Sequence, residues 1–293
     1  MKFWTHYYTP HTVDEALVLL RQCAGGGRVI AGGTDLLVDA RAEGEPAAEA
    51  LIDVTAIPEL RQISESDGQI VIGAGVTHAQ IVKSDLLQRK AACLVESCGV
   101  VGGPQVRNVG TLGGNVAHAL PAGDGTVSLV ALDAEAEIIL NGERRWLPIA
   151  DLYLGPGKSL LDSTRDLLLR FRFRASSAGE ATAFSRIMRP QGVALPILGC
   201  AVWLRLDAAR ANIEAARIYV APISPKPTRA VEVEAMLAGQ PAVDETVQRA
   251  AEFAVTALHP RTSKYRATAE YRQEMIAVLL QRTLTAAIQR ARG

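Results

Sequence analysis

Two glycine-bearing stretches hold the residues with the clearest chemistry. In "RVIAGGTDLLVD", residues 28–39, a β-prone run meets Gly32 and Gly33, then Thr34, Asp35 and a helix-like apolar pattern. A strand that enters a helix through glycines can aim backbone N–H groups at one point, and the positive end of the helix adds to the attraction for an anion. Each charge-assisted hydrogen bond to a phosphate oxygen contributes about 1.5–3 kcal/mol. The stretch is neither GxGxxG nor GxxxxGK[ST], and a plain βα turn carries glycine pairs too. In "VRNVGTLGGNVAHALPAGD", residues 106–124, Gly110, Gly113 and Gly114 precede Asn115. That density of glycine means close backbone approach or positive φ, or simply an elaborate loop. The two stretches lie about eighty residues apart. Two segments gripping one extended ligand, such as a dinucleotide with a central pyrophosphate, fit them.

Other reactive side chains assemble less well. His118 lies in the second stretch, where a nucleotide-contact or structural role suits it better than catalysis; His6, His11, His78 and His259 show no ligand spacing. The cysteines, Cys23, Cys93, Cys98 and Cys200, contain no C-x-x-C pair. Cys93 and Cys98 would point about 140° apart on a helix. They read as small apolar residues rather than metal or cluster ligands. Arginines 165, 170, 172, 174, 186 and 189 read as a solvated sheet face, with partner docking or stabilisation of an anionic cofactor as the sharper alternative. Asp35, Asp39 and Asp53 suit helix starts and surface positions. No Ser–His–Asp set and no acid–base pair is recognisable.

The elements that must position the two stretches follow from periodicity. "TPHTVDEALVLLRQC" is a helix with a Thr cap, "RVIAGG" a strand, "TDLLVDARA" a helix and "EALIDVT" a strand, which predicts a small parallel α/β unit over about 1–55. From about residue 56 to 175 the pattern becomes α+β with an antiparallel sheet. "GQIVIGAG" is a strand there, "THAQIVKSDLL" a helix capped by Thr77, and "KAACLVESCGVVGG" a helix. Asn141-Gly142 makes "EAEIILNGERRWL" a hairpin. "LLLRFRF" alternates, with Leu169, Phe171 and Phe173 on one face. "ASSAGE", residues 175–180, reads as the linker to an α+β domain over 181–293. That domain should hold two strands, "GCAVWLRL" and "IEAARIYV", a proline loop and two or three helices. The last helix carries a Tyr271–Met275–Leu279 stripe and a Thr268 cap.

Composition bounds the class. The chain has 293 residues, formal net charge +0, 48% hydrophobic and 21% charged residues. These are ordinary globular values, giving no electrostatic reason to expect nucleic acid or a membrane surface. "MKFWTHYYTPHT" lacks an apolar leader pattern. The apolar run "LPILGCAVWL" is shorter than the ~18 residues of a span. A soluble, cytoplasmic protein is the expectation.

"IAGGTDLL" and "TLGGNVAHALPAGD" together resemble the FAD-binding (medium) subunit of the molybdenum hydroxylases, the family of xanthine dehydrogenase and aerobic carbon monoxide dehydrogenase. "YLGPGKSLL" (153–161) and "SKYRATAEYR" (263–272) are similar to further family segments, so the resemblance runs nearly end to end. It implies a PCMH-type, two-part FAD-binding domain over 1–175, followed by the smaller α+β domain. It implies non-covalent FAD, held by Val29, Ile30, Ala31, Gly32, Gly33, Thr34, Asp35 and Leu36, then by Thr111, Gly113, Gly114 and Asn115. His118 approaches the cofactor, Asp124 contacts the flavin nucleotide, and Leu169 packs near the isoalloxazine. It also implies a large molybdopterin subunit and a small [2Fe–2S] subunit as partners, in a dimer of heterotrimers, with this chain passing electrons to an external acceptor. "MRPQGVALPI" departs from the family's Arg-Arg-x-x-x-Asp-Ile pattern. The four-cysteine loop of the 4-hydroxybenzoyl-CoA reductase branch is missing. The competing readings are a stand-alone FAD enzyme of the same fold and a flavin-free scaffold or assembly protein.

Overall fold

A computed structural model describes residues 3–43, 48–189, 194–264 and 266–293. The fold is mixed helix and sheet in two compact units that interleave along the chain. The first comprises Met1–Gln80, Pro104–Ala119 and Ala134–Arg174; the second comprises Ile81–Gly103, Leu120–Asp133 and Ala175–Gly293.

In the first unit, β1 (His6–Tyr8), β2 (Gly27–Ile30) and β3 (Ala50–Asp53) form a parallel sheet in the order β1-β3-β2. The helix Val13–Gln22 links β1 to β2, and Thr12 caps it by accepting from the Glu15 N–H. Its buried residues Val13, Ala16 and Leu20 join Ile52, Val54 and Leu60 in one apolar cluster. The helix Leu36–Glu43 follows β2.

An antiparallel sheet completes this unit: β4 (Ile63–Ser66), β5 (Gln69–Gly73), β6 (Glu135–Leu140) and β7 (Glu143–Pro148), with the short hairpin β8 (Tyr153–Gly155) and β9 (Lys158–Ser159) before β10 (Leu167–Arg174). The main sheet runs β4-β5-β10-β6-β7. Its hairpins turn at Asn141-Gly142 (φ 53° and 85°) and at Asp67-Gly68 (φ 53° and 72°), as type I′ turns require. β10 is central. Leu167, Leu169, Phe171 and Phe173 are buried along it. Arg170 and Arg172 on the other face pair with Glu137 (2.6 Å) and Glu135 (2.7 Å). The Arg172 guanidinium lies 4.1 Å from the centre of the Trp146 ring. This face is therefore a ladder of paired charges rather than free cations.

The predicted helix "THAQIVKSDLL" is two helices, His78–Val82 and Asp85–Lys90, because Ser84 starts a new one by capping Leu87 N–H. The second unit holds the antiparallel sheet β11 (Glu180–Met188), β12 (Pro196–Leu206), β13 (Ile213–Ala221) and β14 (Thr228–Arg229), in that order. Three helices finish the chain: Val231–Leu237, Asp244–Ala257 and Ala269–Arg292. They share a core with Ala181, Ala183, Cys200 and Val202. Thr182, on the opposite face of β11, accepts from the Cys93 N–H. The helix Ala92–Gly99 therefore covers that other face. Thr268 caps the last helix as expected. Its buried stripe is Arg272, Ile276, Leu279, Leu280 and Thr283. Tyr271 is exposed and Met275 only half-buried, so the predicted stripe is rotated by one position at its start.

Cys93, Cys98 and Cys200 are buried and unpaired. Burial pushes the Cys93 and Cys200 thiols up to about 12, so they are inert side chains of the core. Among the described residues no group of His, Cys, Asp and Glu could hold a metal ion, and no helix is long and apolar enough to cross a membrane.

Candidate cofactor site

The first glycine loop is built by β2 running into the helix Leu36–Glu43. Val29 donates its N–H to Ser163 O at 2.9 Å. Ile30 is buried, and on the other face of the strand Val29 and Ala31 pack against the cluster of Val13, Ile52 and Leu60. These three residues anchor the loop. Beyond them Gly33 takes φ 64°, a conformation a side chain disfavours. Gly32 is required for a different reason. A Cβ there would stand 2.1 Å from Val109 O and 2.9 Å from Gly110 Cα. The backbone of the first loop therefore lies directly on the entry to the second.

The backbone N–H groups of Gly32, Gly33, Thr34 and Asp35 donate to no acceptor among the described residues. All four residues are at least partly accessible. Four consecutive unengaged donors at a helix start are the feature an anion needs, because each otherwise depends on water.

The second loop has a different construction. Its helix Leu112–Ala117 begins with donors already engaged. Leu112 N–H meets Val76 O at 2.9 Å, Gly113 N–H meets Ala74 O at 2.9 Å, and Gly114 N–H meets the Thr111 hydroxyl at 3.0 Å. Thr111 is buried in this cap. A Cβ on Gly113 would meet Ala74 O at 2.5 Å, so this glycine serves close packing. Gly114 is exposed, and a Cβ on it would meet only Thr111 Oγ1, at 3.2 Å. Neither takes positive φ. The second loop thus supplies a tight wall with one open flank, at Gly114, and the first loop supplies the donors.

Asn115 is half-buried one residue on. His118 follows, with Nε2 3.8 Å from Asp35 Oδ1. The structure therefore brings residues 32–35 and His118 together around the loop junction, with Gly114 one helical turn before His118.

Two expectations need correction. Leu169 is fully buried among Val54, Ile57 and Leu60. Its backbone O accepts from the Ala74 N–H, so it supports the second loop from behind, and its side chain has no open face for a ring system. Arg186 is not on a solvated sheet face. It is half-buried, with its side chain only 9% exposed and Nη1 2.6 Å from Asp124 Oδ2. Asp124 opens the helix Asp124–Ala131 in the second unit. Burial raises its carboxyl to about 6, against the opposing pull of Arg186 and Arg266. The sign follows from the unfolded value of 3.8. This carboxyl favours the folded state most below that value, and the contribution is lost as pH rises through about 6. Of the "MRPQGVALPI" departure, residues 190–193 lie outside the described residues, as does Tyr265 of "SKYRATAEYR".

His78 has no ligand spacing in the sequence, yet it sits at the loop junction. It is 2% exposed, and its backbone N–H donates to Gly110 O at 3.0 Å. Burial, then the charge of Arg107, lowers its pKa to about 4, so the ring is neutral near pH 7. Only tertiary packing reveals it.

A PCMH-like pairing of a parallel α/β unit with an antiparallel sheet, and a donor-rich glycine turn packed on a second glycine loop, define a protein built to bind an anionic nucleotide cofactor. Comparison with known proteins names the cofactor. The family described as "FAD binding domain in molybdopterin dehydrogenase" matches residues 2–173, and "CO dehydrogenase flavoprotein C-terminal domain" matches residues 182–287. The carbon monoxide dehydrogenase medium chain of Hydrogenophaga pseudoflava is 32% identical over 284 residues, covering 96% of each chain. The xanthine dehydrogenase FAD-binding subunit of Escherichia coli O157:H7 is 28% identical over 290 residues, covering 98% of this chain and 97% of that one. A solved carbon monoxide dehydrogenase structure from Hydrogenophaga pseudoflava superposes with a TM-score of 0.88 at 31% identity, over 99% of this chain and 98% of that one. The chain belongs to the family of FAD-binding flavoprotein subunits of the molybdopterin dehydrogenases. It is an oxidoreductase component whose cofactor is FAD.

Proposed function

We propose that this chain holds one FAD non-covalently and serves as the electron-relay subunit between a large molybdopterin subunit and a small [2Fe–2S] subunit on one side and an external acceptor on the other. The observation that carries the reading is the row of unengaged amides on Gly32, Gly33, Thr34 and Asp35, with the exposed Gly114 on the neighbouring loop. FAD, when bound, supplies the redox chemistry. The chain's own residues bind and orient it. The first-loop amides would donate to the pyrophosphate oxygens, Gly114 leaves room beside them, and Asn115 and His118 border the same space. The assignment of Asp124 to the flavin nucleotide rests on the family resemblance. We place the module boundary at residues 175–180, the assembly as a dimer of heterotrimers, and its location in the cytoplasm.

Non-covalent attachment has a direct check. Acid precipitation of the purified chain should leave one equivalent of flavin per chain in the supernatant, migrating as FAD. Flavin retained in the pellet, or FMN in the supernatant, would contradict the assignment.

A further inference from the structure

Two under-satisfied groups flank Gly110. Nδ1 of the buried His78 ring has no hydrogen-bond partner among the described residues. The Thr34 hydroxyl has only a 3.5 Å contact with Asp35 Oδ2, long for an O–H···O bond. A Cβ at position 110 would stand 3.5 Å from His78 Cδ2 and 3.7 Å from Thr34 Oγ1. The ring edge and the hydroxyl thus border the same gap, the space that the missing side chain leaves. A half-turn of the imidazole about its Cβ–Cγ bond exchanges Nδ1 with Cδ2, which brings a nitrogen to that edge.

We infer that His78 is a positioning residue for the cofactor: its Nδ1–H donates to Thr34 Oγ1 through the Gly110 window, so that the Thr34 hydroxyl proton is turned toward a phosphate oxygen. The ring must then be neutral and carry its proton on Nδ1. His78 touches no phosphate itself; it fixes which way one donor of the first loop points. The inference rests on the reading of that loop as the FAD pyrophosphate cradle.

The test is FAD titration of the flavin-free full chain, followed by quenching of flavin fluorescence, with wild type measured first. His78→Phe, which keeps the ring and loses the donor, should weaken FAD about tenfold, the worth of one oriented hydrogen bond. Thr34→Val should lose as much, and the double variant no more than either single one, because both act through one bond. His78→Asn, which restores an N–H donor, should recover to within about threefold of wild type. Nitrogen NMR of the loaded wild type should show the Nδ1–H tautomer. If wild type binds no FAD, the cradle reading falls and takes this inference with it. If wild type binds and Thr34→Val matches it, or the two losses add, or the ring is protonated on Nε2, the inference is overturned and the cradle stands. Should His78→Phe fail to fold, Thr34→Val on its accessible loop and the wild-type tautomer still decide.

Discussion

Gly114→Val should yield a soluble, folded, colourless protein, whereas Gly32→Ala should lose flavin and thermal stability together. The contrast comes from what each new side chain meets. At Gly114 the only neighbour found within 4 Å of a Cβ among the described residues is Thr111 Oγ1, and the position is exposed. Valine and glycine differ by only a few tenths of a kcal/mol in helix propensity, so the flavin-free protein should unfold within about 0.5 kcal/mol of flavin-free wild type. On the cradle reading, the branched side chain would project from the exposed flank of the second loop into space the cofactor occupies. Excluding the cofactor by even about 3 kcal/mol weakens it more than a hundredfold. At Gly32 the methyl would meet Val109 O at 2.1 Å and Val109 C at 2.6 Å. Backbone on both sides leaves nothing flexible to yield, and overpacking of this kind costs about 3 kcal/mol or more. For a unit of this size that lowers Tm by roughly 6–12 °C. Flavin-to-protein ratios and thermal unfolding of the flavin-free forms separate the two cases. Normal flavin content in soluble Gly114→Val would remove the cradle assignment, and an unperturbed Gly32→Ala would remove the loop-on-loop packing.

What was legible in the sequence divides along the range of the interaction that decides it. Local signals held. The Thr12 and Thr268 caps, the Asn141-Gly142 turn and the strict alternation of "LLLRFRF" are each set by neighbours within a few residues. Asp67-Gly68 carried an equally good hairpin signal, but β4, "ISES", is polar and exposed on most positions, which hides its pairing with β5. β11, "EATAFSRIM", was not readable as a strand. Its first five residues are buried on both faces, so it has no alternation. That coverage comes in part from the helix Ala92–Gly99, more than eighty residues earlier in the chain. At the site, the two glycine loops were visible as composition. Their division of labour was not. Gly113 looks like Gly114 in the sequence, yet one is filled by Ala74 and the other is open. Arg186 likewise alternates like a surface arginine, and only its buried pairing with Asp124 shows otherwise.

Purified alone, the chain should take electrons from dithionite and pass them to an acceptor dye, but should show no turnover with aldehydes, purines or N-heterocycles. The expectation follows from the chemistry its residues lack. A stand-alone flavin enzyme needs an acid or base held at the substrate. Around the loop junction the titratable groups are His78, sealed away at 2% exposure, and His118, whose nearest carboxylate is Asp35 at 3.8 Å. His78 is neutral near pH 7, with a pKa that burial lowers to about 4. The His118–Asp35 contact is exposed and longer than a hydrogen bond, so it orients neither group for proton abstraction. What the site does offer, amide donors and a fitted wall, binds and orients a cofactor and leaves substrate oxidation to another subunit. The measurement is anaerobic flavin bleaching on adding candidate substrates, made on the chain alone and again after recombination with its molybdenum and iron–sulfur partners. Bleaching confined to the recombined complex, with a rate gain of several orders of magnitude typical of restoring a catalytic centre, is the expected result. Bleaching of the isolated chain at a catalytic rate would mean that the residues around the junction act on substrate directly, and would reassign the chain as a self-sufficient enzyme.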